Sequence, residues 1–567
     1  MSGPVVNNSH VQNTKQNCET GTANSQIPIQ EHLFNQSWYA PRIAATFLSD
    51  DICSGQPIQP EQLFEYTNGR FLVNEKYEVS KRYAKFDLEA LCAVVSSVPS
   101  VSSPISKIDK LEGGFNKALL MTAENGKELI AKIPCPLVVP AEHSTASEAA
   151  LLEYIRSQTS VPVSKVLAWS SDSSNPVGSE YIVMEKVNGR QLVDVWGEMN
   201  QLQQFRMIQN LVRLECQLAS LEFPGYGNVY FRRSIKHGSP VIPINDDYCL
   251  GPAYNASWFP QTGNQDCAGP WSTLAKLFLA LAHRGLAHVQ RSKLVPRGPH
   301  FGTRPEHIHI LEAAMKIIPR FVGYIERFSK PTLWHGDLHL GNIFVCSKDP
   351  TRIVGIIDWQ FVSIMPAFMQ VQWPSFISPP ENYEIGVVKP NLPPDFDDMD
   401  SDEKAFAVAE RDQAILSKCY EAALAKNCLE SYRALTDADT AVQQLLSSTE
   451  NTWKDGIIPL RDALVQISEN WRELGFSGPC PYQISRDDLL RHRLELSRYK
   501  DWQKLKTYTQ ELLHSDDDGW ISPQLNFSKV QARHNELFRL FKESEELTEE
   551  EAKELWVYID RAERPLL

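Results

Sequence analysis

Residues 334–359 read WHGDLHLGNIFVCSKDPTRIVGIIDW. Two apolar stretches, Ile343 to Cys346 and Ile353 to Ile357, flank the turn-forming SKDPTR, a pattern that predicts an antiparallel hairpin. Asp337 precedes Asn342 by five positions, and Asp358 follows the second stretch. Residues just outside two paired strands meet at the open end of the hairpin. Asn342 and Asp358 are therefore expected side by side, with Asp337 one loop away. Phosphoryl transfer needs such a set: a carboxylate, Asp337, to orient the attacking hydroxyl, and oxygen ligands, Asn342 and Asp358, to hold Mg2+ on nucleotide phosphates. His335 and His339 leave a rival open, a hydrolase metal site of His335, Asp337 and His339. No second histidine cluster supports it, so His335 is expected to brace the loop, and His339 to be structural or near the substrate.

The upstream half tests this reading independently. From Ile105 the chain reads as strands, ISKIDKLE, ALLMTAE and KELIAKIP, with GGFNK after the first and Asn125-Gly126 before the third. Asn-Gly between such runs predicts a type I′ hairpin turn. In GGFNK, glycines without side chains would let backbone N–H groups approach phosphate oxygens, which makes Gly113, Gly114, Phe115 and Asn116 candidates for nucleotide contact. Lys132 shares a strand face with Ile130 and is placed to meet the α- and β-phosphates. Glu148, in the helical run STASEAALLEYIRSQ, is its expected ion-pair partner, with Glu153 the fallback. Thr145 and Glu148 also spell a capping box, which would instead leave Glu148 at a helix start. EYIVMEKVNG reads as a strand leaving the small lobe, so Met184, Glu185 and Val187 lie where adenine would bind backbone groups.

The wider chain sorts into segments. Residues 1–62 are rich in Asn, Ser, Thr and Gln at their start and are expected to be disordered, and 63–104 form a helical preface. Residues 105–187 make a small β-rich lobe and 188–379 a large, mainly α-helical one. A Pro- and Asp-rich connection then leads into a helical extension, 380–567, expected to pack on the large lobe. A formal net charge of −14 argues against a nucleic-acid partner held by phosphate neutralisation. Eleven cysteines without CxxC pairs read as reduced thiols. No run of about 20 apolar residues could span a bilayer, and the opening residues lack the Arg-rich pattern of a mitochondrial presequence.

These motifs resemble the aminoglycoside phosphotransferase family, also called the phosphotransferase enzyme family, over about residues 105 to 375. HGDLHLGN with IIDW carries the resemblance, and GGFNK with AKIP fits a fungal branch. TNGRFLVNEKYEVSKRYAKFDLEAL and VYFRRSI further resemble fungal proteins grouped as altered inheritance of mitochondria protein nine. The resemblance implies an α+β, bilobal, protein-kinase-like fold with ATP in the interlobe cleft. It also implies Asp337 as catalytic base, Lys132 as phosphate contact, Asn342 and Asp358 as Mg2+ ligands, and a hydroxyl of an unidentified small molecule as acceptor. Trp359 stands where protein kinases carry the DFG phenylalanine, and no APE segment follows. The fungal group points to the mitochondrion and the opening composition to the cytoplasm. A non-catalytic nucleotide-binding scaffold and a protein kinase are the alternatives, and protein partners are unspecified.

Overall fold

The computed structural model describes residues 60–558 except 141, 237, 255–267, 292–299, 326–328 and 438–439. The expected disorder of the opening segment thus lies almost wholly outside the described residues. From Ile105 the chain forms β1 (Ile105–Glu112), β2 (Asn116–Ala123) and β3 (Glu128–Pro134), then helix α1 (His143–Gln158), then β4 (Val166–Ser170) and β5 (Tyr181–Glu185). The five strands make one antiparallel sheet in the order β1-β2-β3-β5-β4. Alternation decides its faces. Leu119, Met121, Leu129, Ala131 and Ile133 are buried with Leu91 and Val95 of the preceding helix, Leu88–Ser97. Ile130 and Lys132, the residues between, point the other way, toward α1.

The turn between β2 and β3 is not type I′. Gly126 alone takes positive φ, +79°, and its N–H donates to Ala123 O at 2.8 Å, so residues 124–126 form a three-residue loop. Asn125 keeps negative φ because its Oδ1 accepts from Lys127 N–H at 3.1 Å, which makes a side-chain turn do the work of a second left-handed residue.

The large lobe holds α2 (Gln201–Ala219), α3 (Leu274–Arg291) and α4 (Arg304–Ile325), followed by the hairpin of β6 (Ile343–Cys346) and β7 (Asp349–Ile356). Pairing runs closer to the turn than the sequence suggests: Cys346 already faces Asp349, and bulges absorb the extra residues. Met207, Leu211 and Val212 of α2 pack in one core with Leu333, Trp334, Ile343 and Val345. Apart from the short strand Met365–Pro366 and helical turns at Ala367–Gln370, Ser375–Ile377 and Phe396–Asp398, the chain is irregular to Asp400, whose side chain caps α5 (Ser401–Asn427), and α5 lies along α2. Helices α6 (Thr440–Asp455) and α7 (Ile458–Glu469) close a second core with Leu277, Phe278, Leu311 and Phe321. The chain is α+β with a small sheet-rich lobe and a large, mainly helical one. Among the described residues no helix is long and apolar enough to cross a membrane.

Two expectations need correction. The preface is not purely helical, because Arg70–Phe71 forms a short strand, and the extension does not rest on the large lobe alone. After α8 (Arg486–Leu513), Trp520–Ile521 pairs antiparallel with Arg70–Phe71, and Trp556 and Tyr558 pack with Leu72, Leu513 and Ile521. Trp520 Nε1–H reaches Asn68 O and Tyr66 Oη, each at 2.8 Å. Gly69 permits the approach: it has φ +96°, and a Cβ there would stand 2.4 Å from Trp520 Nε1. Two-residue strands carry too little pattern to be read from sequence.

Candidate active site

Lys132 reaches the centre of the interlobe cleft from β3. Its Nζ donates to Glu148 Oε1 at 2.8 Å and Oε2 at 3.0 Å, and to Asp358 Oδ1 at 3.2 Å across 226 positions of sequence. The Lys132 side chain is 11% exposed, that of Glu148 5% and that of Asp358 28%, so the Lys132–Glu148 pair is desolvated and Asp358 meets it from the more open side. Burial opposes the Lys132 charge, but Glu148 and Asp358 outweigh it and hold its pKa above the ordinary lysine value. Burial lifts Glu148, with Lys132 opposing and Asp358 adding to the rise. One ammonium facing two acids leaves negative charge in excess, which suits a further cation. The capping-box alternative fails because α1 starts at His143, so Thr145 and Glu148 both lie within the helix.

The hairpin brings the other acids and amides to the same place. Ile343 pairs with Ile356, and Ile357 N–H donates to Asn342 O at 3.0 Å, which fixes Asn342 and Asp358 at adjacent strand ends. Asn342 is fully buried; its Nδ2 donates to Asp337 O at 3.0 Å, while its Oδ1 has no hydrogen-bond partner. An orphaned amide oxygen near a carboxylate is a donor pair that fits a hard divalent cation, whose remaining positions phosphates and water would fill. Asp358 adopts left-handed backbone, φ +63°, a strained conformation of the kind that collects at functional sites.

His335 braces this loop. Its Nε2 lies 2.9 Å from Ile357 O, which can only accept, and its Nδ1 accepts from Asp337 N–H at 3.3 Å. Burial keeps its pKa below the ordinary histidine value, so the ring is neutral with the proton on Nε2. Both nitrogens are thereby engaged, which leaves no lone pair for the rival hydrolase metal site. His339 is buried and accepts from Gly341 N–H at 3.1 Å, capping the turn Leu340–Asn342, a structural role. Asp337 is exposed and borders a solvent-open cleft of about 180 Å3, lined also by Trp334, Gln372, Trp373, Ser378 and the buried Glu215.

The glycine loop is partly as expected. Neither Gly113 nor Gly114 has positive φ, and a Cβ on Gly114 would meet nothing within 4 Å, so the protein's own packing does not demand glycine there. Phe115 is half-exposed and packs edge-on against Phe361 at 5.3 Å. The Asn116 amide exchanges hydrogen bonds with Gln360, at 2.7 and 3.3 Å, so its side chain ties the loop to the residues after Asp358. Arg82 Nε–H donates to Gly114 O at 3.0 Å from the preface. Arg82 and Gln360 escaped the sequence reading, since neither sits in a pattern that marks it. Met184 faces Ile130, Glu185 N–H donates to Lys165 O at 3.0 Å, and Val187 packs so closely on β7 that a Cβ on Gly355 would stand 2.4 Å from it. The link between lobes is thus seated on the hairpin that carries Asn342 and Asp358.

Comparison with known proteins follows the same lines. The phosphotransferase enzyme family matches residues 108–371. A subtelomeric hrmA-associated cluster protein of Aspergillus fumigatus is 30% identical over 505 residues, covering 80% of this chain and 97% of that protein. Altered inheritance of mitochondria protein 9, mitochondrial, of Saccharomyces cerevisiae is 22% identical over 572 residues, covering 83% of this chain and 88% of that one. Among solved structures, the streptomycin–ATP ternary complex of APH(2")-IIa aligns with 70% of this chain and all of its own at 13% identity and TM-score 0.35. The chain belongs to the phosphotransferase enzyme family.

Proposed function

We propose that the chain is an ATP- and Mg2+-dependent phosphotransferase that moves the γ-phosphate to a hydroxyl of a small molecule. The observation that carries this reading is the Lys132 ammonium held between Glu148 and Asp358, with the orphaned Asn342 Oδ1 at the neighbouring strand end. Lys132, steered by Glu148, would contact the α- and β-phosphates, and Asn342 and Asp358 would hold the metal. Bound Mg2+ supplies neutralisation of charge on the β- and γ-phosphates. Asp337, solvent-facing at the cleft, would orient the acceptor and take its hydroxyl proton. Gly114 leaves space that a nucleotide's phosphates can enter, and Met184 to Val187 would border the adenine site.

A small-molecule acceptor is favoured over a protein because the chain re-enters the fold soon after Asp358. Ile364 N–H donates to Gly227 O at 2.7 Å, and Gly227 N–H to Ile364 O at 3.0 Å, which leaves little room for a long activation segment. The yeast relative's name motivates a mitochondrial location. The test is transfer of labelled γ-phosphate into a cell extract, with products identified by mass spectrometry. Asp337→Ala should abolish magnesium-dependent transfer while ATP binding survives; equal turnover in the variant would remove Asp337 from the mechanism.

A further inference from the structure

Glu215 has no role in the chemistry above, yet it is the most isolated acid in the chain's described core. It is 1% exposed, and neither carboxyl oxygen has a hydrogen-bond partner. It lines the same cleft as Asp337, together with Trp334 and Trp373. The Tyr420 hydroxyl lies beside it, near enough to temper its titration but outside hydrogen-bond geometry. Even if that hydroxyl swung onto the carboxyl, one oxygen would remain without a partner. Among the described lining residues there is no lysine or arginine to neutralise an anion.

Resting on the phosphotransferase reading, we propose that this cleft is the acceptor subsite and that Glu215 is its specificity-determining residue, exchanging hydrogen bonds with a hydroxyl of a neutral, polyhydroxylated acceptor. An unpaired buried carboxylate costs several kcal/mol, so the site is stable only when Glu215 carries its proton. A carboxylic acid presents one O–H donor and an acceptor oxygen together, the complement of an alcohol. Burial pushes the group up to about 8, with Tyr420 lowering it and Cys428 raising it. The groups facing it are Tyr420 and Cys428 from α5 and its end, Cys216 from α2, and His335 and Asp337 across the cleft. His335 is neutral, and the contact with Cys216 draws the Cys428 thiol down, so that Cys428 favours the acid form of Glu215. The partly exposed Trp373 indole suits the C–H face of a sugar-like or cyclitol-like ring.

The test is calorimetric titration of the full chain, without nucleotide, against hexoses, pentitols and cyclitols, each paired with its monoamino counterpart, at pH 6.5 and pH 9. The expected result is that a neutral member binds at least tenfold more tightly than its amine at pH 6.5 and weakens about tenfold at pH 9. Glu215→Gln, which keeps both a donor and an acceptor, should hold affinity within threefold and lose the pH effect, whereas Glu215→Ala should weaken binding tenfold or more. Preference for the amine, weakened by Glu215→Gln, would assign a cationic acceptor and overturn the proposal. So would failure of every neutral member to bind, indifference to Glu215→Gln and Glu215→Ala alike, or a pH effect that persists in Glu215→Gln. Glu215→Gln is nearly isosteric, so the test survives a failure of the alanine variant to fold. Because nucleotide is absent, these outcomes are independent of whether Asp337→Ala abolishes phosphate transfer.

Discussion

Replacing Glu148 by glutamine separates the two acids that share Lys132. At an effective dielectric near 20, the 2.8 Å contact with Glu148 is worth about 6 kcal/mol of gross attraction and the 3.2 Å contact with Asp358 about 5 kcal/mol. Desolvation offsets most of both, so the gross figures rank the partners without giving net energies. Glu148→Gln keeps an acceptor beside the ammonium and leaves Asp358 charged, so Lys132 is not stranded. The folded state should lose about 1–2 kcal/mol, or about 2–4 °C in melting temperature. Lys132→Met instead leaves the buried Glu148 and the partly exposed Asp358 without a cation and should cost about 3–5 kcal/mol. The small structural effect of Glu148→Gln should go with a large functional one. In Glu148→Gln the ammonium closes onto Asp358 and competes for a proposed metal ligand, so phosphate transfer should fall about 10²–10³-fold, with the Mg2+ requirement raised. Scanning fluorimetry and labelled-phosphate transfer over a Mg2+ series measure both quantities. Stability loss in Glu148→Gln equal to that in Lys132→Met, or an unchanged Mg2+ requirement, would show that Lys132 is not divided between the two acids.

Acid should weaken the fold through His300, whose ring is buried against Trp502 at 4.3 Å and whose pKa burial, aided by Lys506, lowers to about 4. The unfolded ring titrates near 6.5, so the stability from keeping it neutral is complete above about pH 6.5 and lost as pH falls toward 4, about 3 kcal/mol in all. Urea unfolding at pH 7 and 4.5 should show His300→Phe with a shallower pH dependence than the parent, and matching slopes would count against the assignment. Gly69→Ala forces a side chain into left-handed backbone against Trp520 and should cost about 2–4 kcal/mol. Limited proteolysis beyond Leu513 should then accelerate, and an unaltered digestion pattern would refute the close approach.

Much of the site was legible because its information is local. Asp337, Asn342 and Asp358 are bound to one hairpin by spacing alone, and strand alternation put Lys132 on one face with Ile130. Joining Lys132 to Asp358 required a template, since nothing within either segment encodes the other. Glu215 did carry a signal: in LVRLECQLASL it falls on the stripe of Leu211, Val212, Leu218 and Ala219, all buried, where an acid has no water. Such a residue inside an apolar stripe deserves the same scrutiny as a motif. Asn125 shows the converse, where a strong dipeptide signal gave the hairpin correctly and the turn type wrongly, because a side-chain hydrogen bond replaced a backbone conformation.

The contact of Asn68 with Trp520 joins positions 452 apart. At about 5–20 residues per second, a ribosome would release the first partner roughly 20–90 s before the second. Through that interval Phe71 lacks its strand partner. Phe71 is also the ring under the Arg82 guanidinium, at 4.7 Å, and Arg82 grips the glycine loop through Gly114. The loop that would cover the triphosphate therefore gains its full anchorage only after nearly the whole polypeptide has emerged. Synthesis order itself would hold back a nascent chain from acting on nucleotide before the molecule is whole.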